Sequence, residues 1–209
     1  MRDWAIAEVM RGGWRYAKSM VPPTLRSARA SRAALQRGEM RYSDYPWFIH
    51  WLEERTQKWW GAFKISKRGE NLLRYAYPDL EDNTDVDVRA VDLRTSAGAL
   101  VEVKTCENVK CRSTHFVAEE NRDTGEPDGP WRAVAKGASF FVKIQACNGN
   151  SGKPIKIFCY DAMAFRDRCV LLIADGRAVR KKMWEDGLKW SMKVEYFRDL
   201  ELDHQSLFT

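Results

Sequence analysis

The 209-residue chain has five cysteines but no Cys-x-x-Cys pair, only three histidines, and no apolar run long enough to span a bilayer. Each absence excludes something. The odd set Cys106, Cys111, Cys147, Cys159 and Cys169 shows none of the spacings of a zinc or iron–sulfur site, and His50, His115 and His204 add little. A structural metal cluster is therefore not expected, and thiols in a reducing cytosol fit best. The opening MRDWAIAEVMRGGWRYAK holds no apolar core of signal-peptide length, so a soluble cytoplasmic protein is the expectation. No repeat at solenoid or propeller spacing is present. Long Ser, Gly, Gln or Pro tracts are missing too, and 44% hydrophobic with 31% charged residues favours a globular chain over a disordered one.

What is present is positive charge, unevenly placed. The formal net charge is +6 and the pI about 9.1, a mild bias toward acidic partners such as nucleic acid. Residues 1–68 carry 14 Lys and Arg against 6 Asp and Glu, and the rest 21 against 23. The N-terminal third thus reads either as a solvated basic face or as an arm that holds phosphates. The length suits one sizeable core with appendages.

Helical signals dominate the first third: Trp4 to Met10, Thr24 to Arg37 after the breaker Pro22-Pro23, and Pro46 to Trp60 with Ser43 or Asp44 as cap. In the last of these Phe48, Trp51, Leu52, Arg55 and Trp59 recur at helical spacing, which assigns Trp59 and Trp60 to the core. Gly61 then ends that helix, Ala62 to Ser66 forms a short strand, and residues 66–77 return to helix until Pro78. From Asp85 the period changes to two. Residues 85–95 alternate Val with polar side chains, a turn follows at Ser96-Ala97-Gly98, and residues 99–105 form a second strand, together a β-hairpin. Strands are expected around residues 114–120, 138–146 and 154–161, a short helix from Trp131 to Gly137, and a helix after Asp161, a candidate cap, to Asp175. Signals beyond Val179 are weaker. The pattern is that of an α/β domain with a mixed central sheet over 46–209, preceded by a helical basic N-terminal extension over 1–45.

The hairpin carries residue types suited to phosphodiester hydrolysis. That chemistry uses a divalent cation to polarise phosphoryl oxygens and activate water, and hard cations such as Mg²⁺ take one or two carboxylates with waters and substrate. A lysine can orient the attacking water or neutralise developing charge. Glu102 and Lys104 are two apart on one strand and share a face, while Val101 and Val103 point to the core. Asp87 lies on the preceding strand. Pairing through a turn at 95–98 sets odd positions beside even ones, so Asp87 shares a face with Glu102, with a bulge or twist closing the gap.

Val86-Asp87-Val88 followed by Val101-Glu102-Val103-Lys104-Thr105 resembles the PD-(D/E)XK nuclease superfamily, the restriction-endonuclease-like fold that includes Holliday-junction resolvases and phage nucleases. Residues 116–142, a strand with a Gly-rich loop and an Ala-containing turn into an aromatic strand, are similar to small phage-encoded members. The likeness runs over about residues 46–175. It implies a core of helix, three-stranded meander, helix and strand. It also implies Asp87 and Glu102 as Mg²⁺ or Mn²⁺ ligands with the Val103 carbonyl, and Lys104 as the catalytic lysine. DNA, duplex or branched, is the implied substrate, and a homodimer is common among relatives.

Alternatives stay open. Asp85 and Asp79 rival Asp87, and Glu53, Glu54 or Glu70 are candidates for an additional acid on the first core helix. Arg132 and Lys136 are candidate phosphate contacts, with surface charge as the plain alternative, and Trp131 either stacks on a base or pins its loop. The expectation is a Mg²⁺-dependent DNA endonuclease or resolvase. The alternative is a catalytically silent nuclease scaffold that binds DNA or protein.

Overall fold

The computed structural model describes residues 25–58, 61–83, 91–107, 115–119, 129–146, 153–182 and 188–208. The chain is an α/β fold with a mixed six-stranded sheet flanked by helices. It divides into two compact units: one gathers the helices up to Ala76 with the segments that include Thr105 and Lys156, the other most of the rest from Tyr77 onward.

In the first unit, helix α1 (Leu25–Gln36) follows the proline pair and buries Ser31 and Leu35. Ser31 Oγ and the Tyr75 hydroxyl lie 2.6 Å apart, Tyr75 also donates to the Ala28 carbonyl at 3.1 Å, and Gln36 Nε2 donates to the Ala76 carbonyl at 2.8 Å. These bonds tie α1 to α3 (Gly61–Ala76). Gly38, in the left-handed region at φ 64°, ends α1. Helix α2 (Pro46–Thr56) starts on a proline, buries Phe48 and Leu52, and stacks Phe48 on Trp51 with Tyr75 4.6 Å away. It stops at Thr56, four residues short of the sequence expectation; Trp59 and Trp60 lie outside the described residues, as does the helix expected at Trp4 to Met10.

The short strand expected from Ala62 to Ser66 is not there. Gly61 begins rather than ends a helix, and residues 61–76 are one continuous α-helix. The physical reason is periodicity at longer range: Gly69, Leu72, Leu73 and Ala76 fall at helical spacing on one buried stripe, and Leu72, Leu73 and Ala76 are fully buried. Gly69 is the close-approach point of this helix. A Cβ there would collide with Thr105 Oγ1 and lie 2.9 Å from Thr105 Cβ. Gly→Ala inside a helix normally stabilises by about 1 kcal/mol. Here the sign reverses: Gly69→Ala is expected to cost roughly 1–3 kcal/mol through overpacking. Thr105→Ala in the same chain recovers part of the loss, as two urea melts would read.

The six-stranded sheet has the order β1 (Glu81–Asp82), β2 (Leu93–Arg94), β3 (Leu100–Glu107), β5 (Phe140–Ala146), β6 (Lys156–Asp161) and β9 (Glu201–Leu202). β1, β2 and β3 form an antiparallel meander. Ser139 N donates to the Leu100 carbonyl at 2.8 Å, which sets β5 beside β3 start to start, in parallel. Ala162 N donates to the Ser139 carbonyl at 3.0 Å, which sets the end of β6 at the start of β5, antiparallel. Between β3 and β5 the chain makes β4 (His115–Glu119) and the short helix α4 (Pro130–Ala135). β4 belongs to a second, three-stranded antiparallel sheet with β8 (Leu188–Lys193) and β7 (Val179–Lys182), strands for which the sequence carried only weak signals.

Helix α5 (Ala162–Ala174) begins where expected, with Asp161 Oδ1 accepting from Ala164 N at 2.8 Å. Its buried residues Ala162, Phe165, Cys169 and Leu172 fall on one stripe, and Phe165 stacks between Phe141 at 4.4 Å and Phe197 at 4.6 Å. Cys106, Cys159 and Cys169 are free, and burial pushes the Cys159 thiol up to about 12, so it behaves as an inert apolar residue. Among the described residues no helix is long and apolar enough to cross a membrane.

The last helix, α6 (His204–Phe208), is clipped onto Tyr77. The Tyr77 hydroxyl bonds His204 Nδ1, and the Phe208 ring packs edge-on against Tyr77 and Phe140. Burial holds the His204 imidazole below its usual range, partly opposed by Asp203 and by a bond to the Ile157 backbone. An unfolded His204 takes up its proton near pH 6.5, the folded one only at lower pH. The unfolded state therefore binds more protons as the pH drops below that value, and stability falls. Thermal melts between pH 7.5 and 5 should show that decline, and His204→Gln, which cannot protonate, should flatten it.

Candidate active site

The β2–β3 hairpin holds the acidic residues at issue. Thr95 closes the turn twice: Thr95 N donates to the Ala99 carbonyl at 2.9 Å, and Thr95 Oγ1 accepts from Ala99 N at 3.0 Å. Gly98 supplies the left-handed residue at φ 85°. The loop between the strands is thus five residues, 95–99. Leu93 pairs with Val101 and Arg94 with Leu100, so odd positions face odd ones. This corrects the parity expected from a turn at 95–98.

Continued by one residue, the register sets Asp92 opposite Glu102. Asp92 is held there from two sides. Its Oδ2 accepts from Val103 N at 2.8 Å, and its carbonyl accepts from Asn83 N at 3.0 Å. Asn83 in turn donates from Nδ2 to the Val91 carbonyl at 2.9 Å and accepts from Arg94 Nη2 at 2.8 Å. On β3, Glu102 and Lys104 share a face, and Glu102 Oε1 lies 2.7 Å from Lys104 Nζ. The glutamate side chain is only 12% exposed and the lysine 51%. Val91, Leu93, Val101 and Val103 fill the buried face behind them.

The donors assembled here are all oxygen: two carboxylates on neighbouring strands and a backbone carbonyl. An extended residue sends its N–H and C=O to the same side, so Val103, whose N–H reaches Asp92, turns its carbonyl toward the β2 side as well. Hard oxygen donors of this kind suit Mg²⁺ or Mn²⁺ rather than a thiophilic metal. No group of three or more His, Cys, Asp and Glu side chains placed to hold a metal ion stands together among the described residues.

Other candidates fall elsewhere. Asp87 and Asp85 lie outside the described residues. Asp79 is exposed in the turn after Tyr77. Glu53 pairs with Lys64 at 2.9 Å and with Arg68, Glu54 is exposed, and Glu70 is buried against Lys67 Nζ at 2.6 Å. All three belong to the helical unit. Arg132 is exposed on α4, and half-buried Lys136 caps its C-terminus, while Trp131 packs against the Phe165 cluster. Asp92, which the sequence reading did not weigh, is the described carboxylate that the register sets opposite Glu102. Its spacing of ten from Glu102 was visible, but only the length of the turn shows that the two are partners.

Comparison of the chain with protein-family models and with curated proteins gives no match.

Proposed function

We propose that the protein is a divalent-metal-dependent nuclease that hydrolyses the DNA backbone, with its centre at Asp92, Glu102, Val103 and Lys104. The observation that carries this reading is the juxtaposition of Asp92 and Glu102 across the hairpin, with Lys104 on Glu102. The element order supports it too. Helix α3, the β1–β2–β3 meander, helix α4 and strand β5 parallel to β3 follow the helix, meander, helix and strand of the restriction-endonuclease-like core. β4 is an insertion into that order.

Asp92, Glu102 and the Val103 carbonyl would hold a Mg²⁺ or Mn²⁺ ion, which when bound polarises phosphoryl oxygen and lowers the pKa of water. The protein residues do the rest. Asp92 is fixed by Val103 N and Asn83, so its carboxylate is positioned before substrate arrives. Lys104, half exposed and leaning on Glu102, presents an ammonium at the edge of the site, where it orients the attacking water and offsets charge on the phosphoryl group. Buried Val91, Leu93, Val101 and Val103 back the two strands.

The test is nicking of supercoiled plasmid and branched DNA with Mg²⁺ by wild type, Glu102→Ala and Lys104→Ala. Loss of Lys104 should slow cleavage by roughly 10²–10³-fold, the range for one group that stabilises charge developing in the transition state. Equal cleavage by all three proteins would sink the proposal. Salt-sensitive DNA binding by wild type without metal-dependent turnover would leave the scaffold as a binding protein.

A further inference from the structure

Helix α1 presents an arginine face that local physical chemistry does not explain. The twelve residues Leu25–Gln36 contain Arg26, Arg29 and Arg32 and no acidic residue. Arg32 lies over the Tyr75 ring. Arg26 and Arg29 do not turn inward; both are exposed, as is Ala30 beside them. Neither has an ion-pair partner among the described residues. They sit in the first turn and a half, where the positive end of the helix dipole favours acids and disfavours cations. They are also three apart, so their charges face each other along the helix. For the helix by itself this placement is unfavourable twice over.

The same helix is fastened by Ser31 and the Ala28 carbonyl bonding Tyr75, by Gln36 bonding the Ala76 carbonyl, and by buried Leu35. The arginines therefore stand on a fixed support, and both are exposed to a charged partner. We infer that the exposed face of α1, through Arg26 and Arg29, docks the phosphodiester backbone of nucleic acid. A polyanion turns both unfavourable terms into favourable ones, and guanidinium suits phosphate oxygens in bidentate pairs. The choice of nucleic acid over other polyanions rests on the proposed nuclease function; the charge and geometry do not.

The experiment uses the full chain with a fluorescein-labelled 30-base-pair duplex, Ca²⁺ in place of Mg²⁺, and anisotropy over a salt series. Arg26→Glu/Arg29→Glu is expected to weaken binding by about tenfold or more and to reduce the slope of log K against log salt by about 2, one phosphate contact per arginine. Arg26→Lys/Arg29→Lys, which keeps the charge, should bind within a fewfold of wild type with the same slope. Hydrolysis of bis(p-nitrophenyl) phosphate, a diester with no nucleic-acid backbone to dock, separates the two proposals. If the Glu variant hydrolyses it like wild type while losing duplex binding, the docking face stands. Absence of diester hydrolysis in every protein would sink the nuclease reading and leave the binding result intact. Unchanged duplex affinity and slope in the Glu variant would overturn the docking face, as would loss of binding only to phosphatidylserine vesicles.

Discussion

Asparagine in place of Asp92 is expected to lower the rate of Mg²⁺-dependent DNA cleavage by about three orders of magnitude, because a missing carboxylate removes several kcal/mol of charge stabilisation from a metal centre. Asparagine is preferred to alanine for a structural reason. Asp92 Oδ2 also accepts from Val103 N, and an asparagine oxygen can keep that bond, so the hairpin survives while the negative charge goes. Initial rates of plasmid nicking over a Mg²⁺ titration provide the measurement, and a melt confirms the fold. Asp87→Asn is the comparison that decides between aspartates. A dead Asp87→Asn beside an active Asp92→Asn would move the centre off the residue opposite Glu102.

That comparison turns on one residue in a turn. The alternation of Val with charged side chains predicts a hairpin, which the described residues show as the β2–β3 pair, and it places Glu102 and Lys104 on one face, since both follow from a period of two. Pairing between strands is another matter. A four-residue turn sets odd beside even and a five-residue turn sets odd beside odd, and one residue exchanges every facing pair. Here Thr95 bonds Ala99 through both backbone and side chain, which lengthens the loop to five and brings Asp92 opposite Glu102. A Thr at the turn entrance was readable, but its choice of partner is set by the folded loop.

Legibility elsewhere followed how local the cause was. The Asp161 cap and the helix after it needed only neighbours along the chain, and both are where the sequence placed them. The stretch from Ala62 to Ser66 is a contrary case. Five residues with a β-branched Ile65 suggest a strand, but the segment is the first part of a sixteen-residue helix whose burial stripe lies mainly beyond it, at Leu72, Leu73 and Ala76. Tertiary burial outweighs a weak local preference. The β4–β8–β7 sheet was hard to see for a related reason. Its pairs join residues 115–119 with 188–193, more than sixty positions apart, and neither strand announces the other.

The largest effect on stability should come from Phe165→Ala. Phe165 is 1% exposed and lies between three rings, with centroids 4.4 Å to Phe141, 5.1 Å to Tyr160 and 4.6 Å to Phe197. Those rings come from β5, β6 and the 3-10 turn of residues 194–200, so one side chain joins the sheet, helix α5 and the segment leading to β9. Truncation to alanine is expected to cost roughly 3–5 kcal/mol, transfer energy plus the cavity left among rigid rings. Phe165→Leu, which refills much of the volume but loses the stacked faces, should cost clearly less. Urea unfolding would read both as a lower midpoint with an unchanged slope. A loss below about 1 kcal/mol for alanine would mean that Phe141 and Phe197 close over the gap, a collapse that flat rings held by a strand and a turn resist.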